Sequence, residues 1–216
     1  MSGARDEILR RIRQALADVP ASEAPADVSV QRTYRQLAGT DREELIEQLT
    51  ETISDYRATV KRIAAGDIAA EIQAACGDRD LRRLVIPPAL PDAWRPGGVE
   101  LVEDRELSAA ELDQVDGALT GCATAVAQTG TIVLDGHGAC GRRALTLVPD
   151  HHVCVVTEDQ VVGLVPEAIT RLRTAVAEHR RPLTLISGPS ATSDIELTRV
   201  EGVHGPRNLL VLIAVA

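Results

Sequence analysis

The sequence predicts an α/β protein of three layers, in which helices cover a mostly parallel sheet. Short runs of Val, Ile and Leu alternate with segments of helical periodicity, which is typical of this class. Phe is absent and aromatic residues make up 1% of the chain. The core must therefore come from Leu, Ile, Val and Ala, a composition that suits a parallel sheet buried under helices. The length of 216 residues indicates one sizeable domain with a short appendage.

The appendage is the N-terminal part of the chain. Apolar residues repeat at helical spacing over residues 3–18, and Pro20 ends that helix. Residues 20–39 contain two prolines and little periodicity, which indicates a linker. We therefore divide the chain into an N-terminal helix with linker, residues 1–39, and a main domain, residues 40–216. The first helix is expected to pack elsewhere or on a partner.

The first half of the main domain predicts alternating helices and strands. Thr40 and Glu43 match a capping box ahead of a helix, and Ser108 and Glu111 match a second one. Gly77 is expected to end the helix that lies between them in sequence. The predicted elements are the helix after Thr40, a strand at 58–63, a helix at 67–76, strands at 83–88 and 99–103, and a helix from Ser108 towards Val115.

The second half is richer in glycine and in β-branched runs. Pro166 stands where a helix should begin, because its missing N–H costs nothing in the first turn. Ile169, Leu172 and Val176 are expected on the inner face of that helix. The predicted strands are 131–134, 144–148, 152–157, 183–187 and 209–215.

Composition and charge exclude several kinds of protein. The net charge of −9 would repel phosphate backbones, so we expect no nucleic-acid partner. The apolar run at the end of the chain has eight residues, whereas a membrane-spanning helix needs roughly 20. We expect no membrane partner and a cytoplasmic location. The four cysteines form no Cys-x-x-Cys pair, so the chain itself is expected to hold no cofactor, iron–sulfur cluster or metal.

The loop at residues 187–206 is the first candidate site, because it follows a predicted strand and is rich in hydroxyls. Ligands of open α/β sheets bind beyond the carboxyl ends of strands. Its backbone N–H groups and hydroxyls could contact an anion. Alternatively, Ser190, Thr192 or Ser193 could cap a short helix that begins near Asp194 and Glu196. The candidate ligand contacts in this loop are Ser187, Gly188, Ser190, Thr192 and Gly205.

His204 lies in the same loop, between Gly202 and Gly205-Pro206. A histidine held at a rigid corner could exchange a proton near neutral pH. It could equally hydrogen-bond local carbonyls and only fix the corner.

A second glycine corner, Gln128-Thr129-Gly130-Thr131, precedes a predicted strand. It could be a bend where two backbones approach closely. The alternative is a second wall of the same pocket, formed by Thr129, Gly130 and Thr131 and joined by Thr120 and Gly121. This interpretation requires corners that are distant in sequence to meet in one cavity.

Two further sets of residues allow more than one interpretation. His137, Cys140, His152 and Cys154 could in principle form a tetrahedral zinc site, although a mobile turn explains the local glycines as well. Arg142 and Arg143 could bind an acidic substrate or lie in solvent.

Three segments together resemble the lactate utilization protein C family, the stand-alone LUD domain. They are ATAVAQTGTIVL at 123–134, GRRALTLVPDHHVCVV at 141–156 and LISGPSATSDIELTRVEGVHGPRNLLVLI at 185–213. The resemblance implies a fold similar to the superfamily of ribose-5-phosphate isomerase, glucosamine-6-phosphate deaminase and the coenzyme-A transferases. It also implies a role in oxidising L-lactate to pyruvate beside two iron–sulfur partner proteins. The family commonly has Glu where this chain has Gln128, and an amide cannot abstract a proton.

Three hypotheses follow. The chain is the non-redox component of a lactate oxidation system, with a pocket for a small carboxylate, and this is the interpretation that we favour. Alternatively, it is a free-standing isomerase or transferase acting on a phosphorylated or acyl molecule, in which His204, Asp194 and Glu196 perform acid–base catalysis. The third hypothesis is a non-catalytic assembly module that docks through its first helix.

Overall fold

A computed structural model of the protein describes residues 3–20, 22–24, 29–31, 33–192, 200–202 and 204–216. The contacts divide the chain into two compact units, residues 1–35 and residues 36–216. The first unit contains the predicted N-terminal helix, α1 (Ala4–Ala15). Asp6 and Glu7 lie in its first turn and Arg13 in its last, an order that favours the helix dipole.

The second unit contains the remaining helices and all described strands. The helices are α2 (Arg42–Asp55), α3 (Ile68–Asp78), α4 (Ala109–Leu112), α5 (Val165–Arg171) and α6 (Arg173–Ala177). The strands are β1 (Thr59–Ala64), β2 (Arg83–Ile86), β3 (Glu100–Glu103), β4 (Gly117–Gly121), β5 (Thr124–Val126), β6 (Thr131–Leu134), β7 (His151–Thr157), β8 (Val161–Val162), β9 (Thr184–Ile186), β10 (Ala191–Thr192), β11 (Val200–Glu201) and β12 (Asn208–Val215).

The main sheet has six parallel strands in the order β1, β12, β7, β4, β2, β3. β12 and β7 are adjacent interior strands and are almost fully buried. Their continuous apolar sequences follow from burial on both faces, because helix crossovers cover each side of a parallel sheet. The predicted α/β class and mostly parallel sheet are confirmed.

The two faces of the main sheet pack against different layers. Leu210 and Leu212 of β12 face α3, where Ile72 is fully buried. Val211 and Ile213 of the same strand face α2 and a second sheet. This alternation is the period-two pattern of a strand, and it produces the three layers.

The second sheet has four strands in the order β8, β5, β6, β9, and two of its three pairings are antiparallel. The sequence predicted β6 and β9 but not their separation from the main sheet. A two-stranded antiparallel ribbon, β10 with β11, extends the loop between β9 and β12.

Several predicted boundaries are wrong. Residues 143–146 form a 3-10 turn instead of the predicted strand at 144–148, because Leu145 and Leu147 bond to carbonyls three residues earlier. Gly77 lies inside α3, which ends at Asp78. Asp41, not Thr40, caps α2 by accepting from the N–H of Glu44 at 3.0 Å.

Two other local predictions have different outcomes. The capping box at Ser108 and Glu111 is confirmed. In α5 and its extension, Leu172 is buried as expected, but Ile169 and Val176 are 54% and 45% exposed. Ala168 instead takes the inner position.

The four cysteines are buried and free. No helix among the described residues combines the length and apolar character that a membrane crossing requires.

Candidate functional site

A cavity of about 200 Å³ lies under the loop that joins β9 to β12. His152 and Leu209 place it beside the amino ends of β7 and β12. The loop does leave the carboxyl end of a strand, as predicted, but that strand belongs to the small sheet. The cavity is lined by Arg143, Thr146, His152, Thr184, Leu185, Ile186, Ser187, Gly188, Pro189, Ser190, His204, Gly205, Pro206 and Leu209.

Ser190 holds the two limbs of this loop together. Its N–H donates to the carbonyl of Pro206 at 2.8 Å, and its own carbonyl accepts from the N–H of Gly202 at 3.0 Å. Its hydroxyl accepts from the N–H of His204, also at 3.0 Å. Two of these bonds use the backbone, and the bond from His204 is the one that requires a hydroxyl here. They also fix the cavity wall before any ligand arrives.

The predicted capped helix in this loop falls mostly on residues outside those that the structure describes. Thr192 lies in β10 and pairs with Val200 of β11, so the described ends of this segment form a ribbon. Ser193, Asp194 and Glu196 lie outside the described residues. The assignment of Asp194 and Glu196 as catalytic residues stays a prediction.

Two of the predicted ligand-contact glycines have steric roles. Gly188 has a φ of +95°, and a Cβ there would lie 2.6 Å from the Cβ of Tyr56. Gly130 has a φ of +57°, and a Cβ there would lie 2.7 Å from the carbonyl carbon of Thr52 in α2. Both positions need glycine because another backbone approaches closely. Gly188 also lines the cavity, whereas Gly130 is buried against the helix.

Three hydroxyls join the second glycine corner to the loop. The Oγ1 of Thr131 lies 2.8 Å from that of Thr129 and 2.8 Å from the Oγ of Ser187. The structure therefore brings together corners that lie 56 positions apart. Ser187 faces the cavity, and Thr131 is buried behind it. The neighbouring Gln128 is exposed and does not line the cavity.

Arg143 lies at the mouth of the cavity and is its main positive charge. Its Nη1 donates to the carbonyl and hydroxyl of Thr146 at 2.7 and 3.0 Å. Its Nη2 donates to the carbonyl of His204 at 3.1 Å. Within the part of the chain that the structure describes, no carboxylate pairs with this guanidinium. Partial burial lowers the pKa of Arg143, but a guanidinium remains charged at neutral pH.

Arg142 has the opposite surroundings. Its Nε and Nη2 donate to the two carboxylate oxygens of Asp104 at 2.6 and 2.7 Å, and Nη2 also contacts the carbonyl of Leu107. The Asp104 side chain is 5% exposed. The hydrogen bond with Asp104 raises the pKa of Arg142. This arginine is therefore structural, and only its neighbour faces the cavity.

His152 is a buried wall of the cavity, with its Nε2 2.8 Å from the Oγ1 of Thr120. Burial, and then the charge of Arg143, lower the pKa of His152 to about 4. The ring is therefore neutral at physiological pH. Sequence reasoning considered His152 only as a metal ligand and did not anticipate this role, because its contact with Thr120 spans 32 residues.

The alternative zinc site is not formed. Among the residues that the structure describes, no group of three or more His, Cys, Asp or Glu could hold a metal ion. The Sγ of Cys154 contacts the carbonyl of Gly121 at 3.7 Å, and burial raises the pKa of Cys140 to about 12. Cys140 is thus a protonated thiol, and both cysteines are buried members of the core.

His204 reaches the cavity and is otherwise exposed. Its backbone N–H and carbonyl bind Ser190 and Arg143, so the residue fixes the corner. Gly205 follows with a φ of +154°, and a Cβ there would lie 3.3 Å from the carbonyl of Thr146. The structure places both residues in the cavity wall and assigns the backbone of His204 a positioning role.

Comparison with known proteins identifies relatives along nearly the whole chain. The LUD domain family model matches residues 39–214. A lactate utilization protein C from Deinococcus radiodurans is 43% identical over 97% of this chain and 95% of its own length. The uncharacterized protein YkgG of Escherichia coli is 31% identical over 63% of this chain and 60% of its own length. A crystal structure of a DUF162 family protein from Deinococcus radiodurans superimposes with a TM-score of 0.71 at 39% identity, covering 82% of this chain and 99% of that one.

Proposed function

The chain belongs to the LUD domain family, and from this premise we propose that it is the non-redox component of a system that oxidises L-lactate to pyruvate. Its partners in this proposal are iron–sulfur lactate utilization proteins, which carry the electrons. The name of the Deinococcus relative, lactate utilization protein C, supports the pathway, and the similarity extends over 95% of that protein's length. The four free thiols support a reducing, cytoplasmic location.

The observation that carries the ligand assignment is the guanidinium of Arg143 at the cavity mouth. Arginine binds carboxylates through two parallel N–H bonds, and no described carboxylate occupies this one. Ser187 supplies a hydroxyl at the same cavity, which suits the hydroxyl of lactate or the keto oxygen of pyruvate. The volume of about 200 Å³ suits a small acid.

The cavity favours a monocarboxylate. His152 is neutral because its pKa is about 4, so among the described lining residues Arg143 is the positive charge that a ligand meets. A second carboxylate on the ligand would be desolvated without a partner. The proposed fold relationship to the isomerase and transferase superfamily is compatible with this cavity and remains a separate prediction.

A genetic experiment tests the pathway. Deletion of the gene should abolish growth on L-lactate as carbon source while growth on pyruvate stays normal. The partner iron–sulfur proteins should then copurify with a tagged chain that restores growth. Normal oxidation of lactate by the deletion strain would contradict the proposal.

A binding experiment tests the cavity. Titration calorimetry with L-lactate and pyruvate should show saturable binding that Arg143→Ala weakens at least tenfold, or about 1.4 kcal/mol. Arg105→Ala is the matched control, because that exposed arginine pairs with Glu103 away from the cavity. Equal affinity in wild type and Arg143→Ala would exclude this guanidinium as the carboxylate anchor.

A further inference from the structure

A second cavity, of about 150 Å³, lies at the amino ends of β1, β12 and β7. Three arginines from different elements line it: Arg57 after α2, Arg79 after α3 and Arg207 before β12. His151, Asn208 and Thr59 complete its polar wall. Among the described residues, this arginine cavity shares only His152 and Leu209 with the cavity that contains Arg143.

The charge of the arginine cavity opposes the charge of the chain. The protein has 32 acidic and 23 basic residues. Among described residues, the lining nevertheless contains three arginines and neither Asp nor Glu. A concave site of one sign focuses the field and attracts ions of the opposite sign. Random placement on this acidic surface would favour carboxylates in the lining.

The arginines are held in position by the protein. The Nε of Arg207 donates to Asp150 at 2.6 Å, which lies outside the lining. The Nη1 of Arg79 donates to the carbonyl of Ala75 at 3.3 Å, one turn back in α3. Arg57 and Arg207 also interact with other groups of the protein. Such anchoring lowers the entropy lost when an anion binds.

We propose that the arginine cavity binds the phosphate group of a small molecule. Arg207 is paired with Asp150 and therefore contributes less charge than Arg79. Arg79 supplies charge-assisted hydrogen bonds, and Asn208 donates a neutral hydrogen bond. Asn208 is placed for this by its Nδ2, which lies 3.4 Å from the Nε2 of His151. The cavity has room for about five water molecules, which is enough for one or two phosphate groups.

The concave shape favours a small molecule over an acidic protein surface. An acidic partner would need a broad, exposed basic face, whereas these charges converge on one recess. The inference is independent of the proposed lactate function, because its arginines do not line the other cavity and its ligand class is different.

Titration calorimetry of the full chain in low-salt buffer without phosphate tests the inference, with sodium pyrophosphate and inorganic phosphate as probes. Saturable binding of pyrophosphate is expected, at least tenfold weaker in Arg79→Ala. A second variant, Thr59→Glu, places a carboxylate in the cavity from an exposed position and should weaken binding by at least the same factor. Arg105→Ala should retain the wild-type affinity within twofold.

Three results would overturn the inference. They are the absence of saturable phosphate binding to wild type, equal binding by Arg79→Ala, and a polyglutamate peptide that binds more tightly than pyrophosphate and loses binding in Arg79→Ala. The last would assign the surface to an acidic protein partner. Arg143→Ala should keep pyrophosphate binding while losing lactate binding, so each of the two proposals can fail without the other.

Discussion

Arg142 and Arg143 are neighbours in sequence, but they belong to two different regions of the molecule. Arg142 closes an ion pair with Asp104, whose side chain is 5% exposed. Arg143 lines a cavity, and among the described residues it donates only to neutral oxygens, those of Thr146 and His204. One arginine is paired with a carboxylate of the protein, and the other retains its charge for a ligand.

The difference shows that an arginine available to a ligand is one whose partners in the protein carry no negative charge. A guanidinium with a carboxylate partner gains little from a second anion, because its charge is already neutralised. A guanidinium that donates to carbonyl oxygens keeps its full charge, because a carbonyl is neutral and only orients the side chain. A similar contrast exists between two hydroxyls. Ser187 faces the cavity, whereas Thr131 is buried behind it.

The largest expected effect concerns pH and arises mainly from the burial of His152, with a smaller contribution from the charge of Arg143. The pKa of His152 is about 4 in the folded protein, mainly through burial, against about 6.5 when unfolded. The unfolded chain therefore binds a proton first as the pH falls below 6.5. This group's contribution is fully present above pH 6.5 and is lost on acidification towards pH 4. The total loss is about 3 kcal/mol.

Urea denaturation at several pH values between 4 and 7 measures this loss. Replacing His152 by Gln should flatten the dependence, whereas His179→Gln, at an exposed position, should not. Arg143→Ala should make the loss smaller, since its charge helps to lower the pKa of His152. The same reduction in Arg142→Ala would remove the distinction between the two arginines.

The second largest effect is on stability at neutral pH, to which Arg142 is expected to contribute more than Arg143. Arg142→Ala leaves the buried carboxylate of Asp104 without its bidentate partner, at an expected loss of about 2 kcal/mol in the free energy of unfolding. The value is below that of a fully buried pair because the Arg142 side chain is 38% exposed. Arg143→Ala should change stability by less than about 1 kcal/mol, since it breaks bonds to neutral oxygens near the surface.

Urea denaturation at pH 7 compares the two variants directly, and the double variant Arg142→Ala with Asp104→Asn provides the control. Removing the carboxylate charge should recover part of the lost stability, because the buried uncompensated charge causes most of the penalty. A larger loss in Arg143→Ala than in Arg142→Ala would contradict the assignment of a structural role to Arg142.

Much of the fold could be predicted because burial leaves a local pattern. The central strand β12 is an unbroken apolar run, and β6 was predicted at its observed bounds. The prediction of a strand at 144–148 was wrong for a physical reason. The alternation Leu145-Thr146-Leu147 is typical of a strand, which would place both leucines on one face, but in the 3-10 turn Leu145 is buried and Leu147 is exposed.

The candidate site was predictable only in part, because its contacts are long-range. The loop at 187–206 is recognisable from its hydroxyls and glycines, and its contact with Thr131 was anticipated. Nothing local distinguishes Arg142 from Arg143, since Asp104 lies 38 positions away. A close approach of two backbones at Gly130 was one of the two interpretations of the sequence, but its partner Thr52 in α2 lies too far upstream to be identified from it.

The smallest effect tests the same contrast within the hydroxyl chain. Thr131→Val preserves the shape of the side chain but removes the hydroxyl that bonds both Thr129 and Ser187, at an expected loss of about 1 kcal/mol in the free energy of unfolding. Ser187→Ala should lose less than about 0.5 kcal/mol, because Ser187 is exposed and water can replace it. Ser187→Ala should instead weaken lactate binding in calorimetry, since its hydroxyl faces the cavity. If both variants lost the same stability and left binding unchanged, the hydroxyl chain would be structural throughout, and Arg143 would be left as the main polar contact for a ligand.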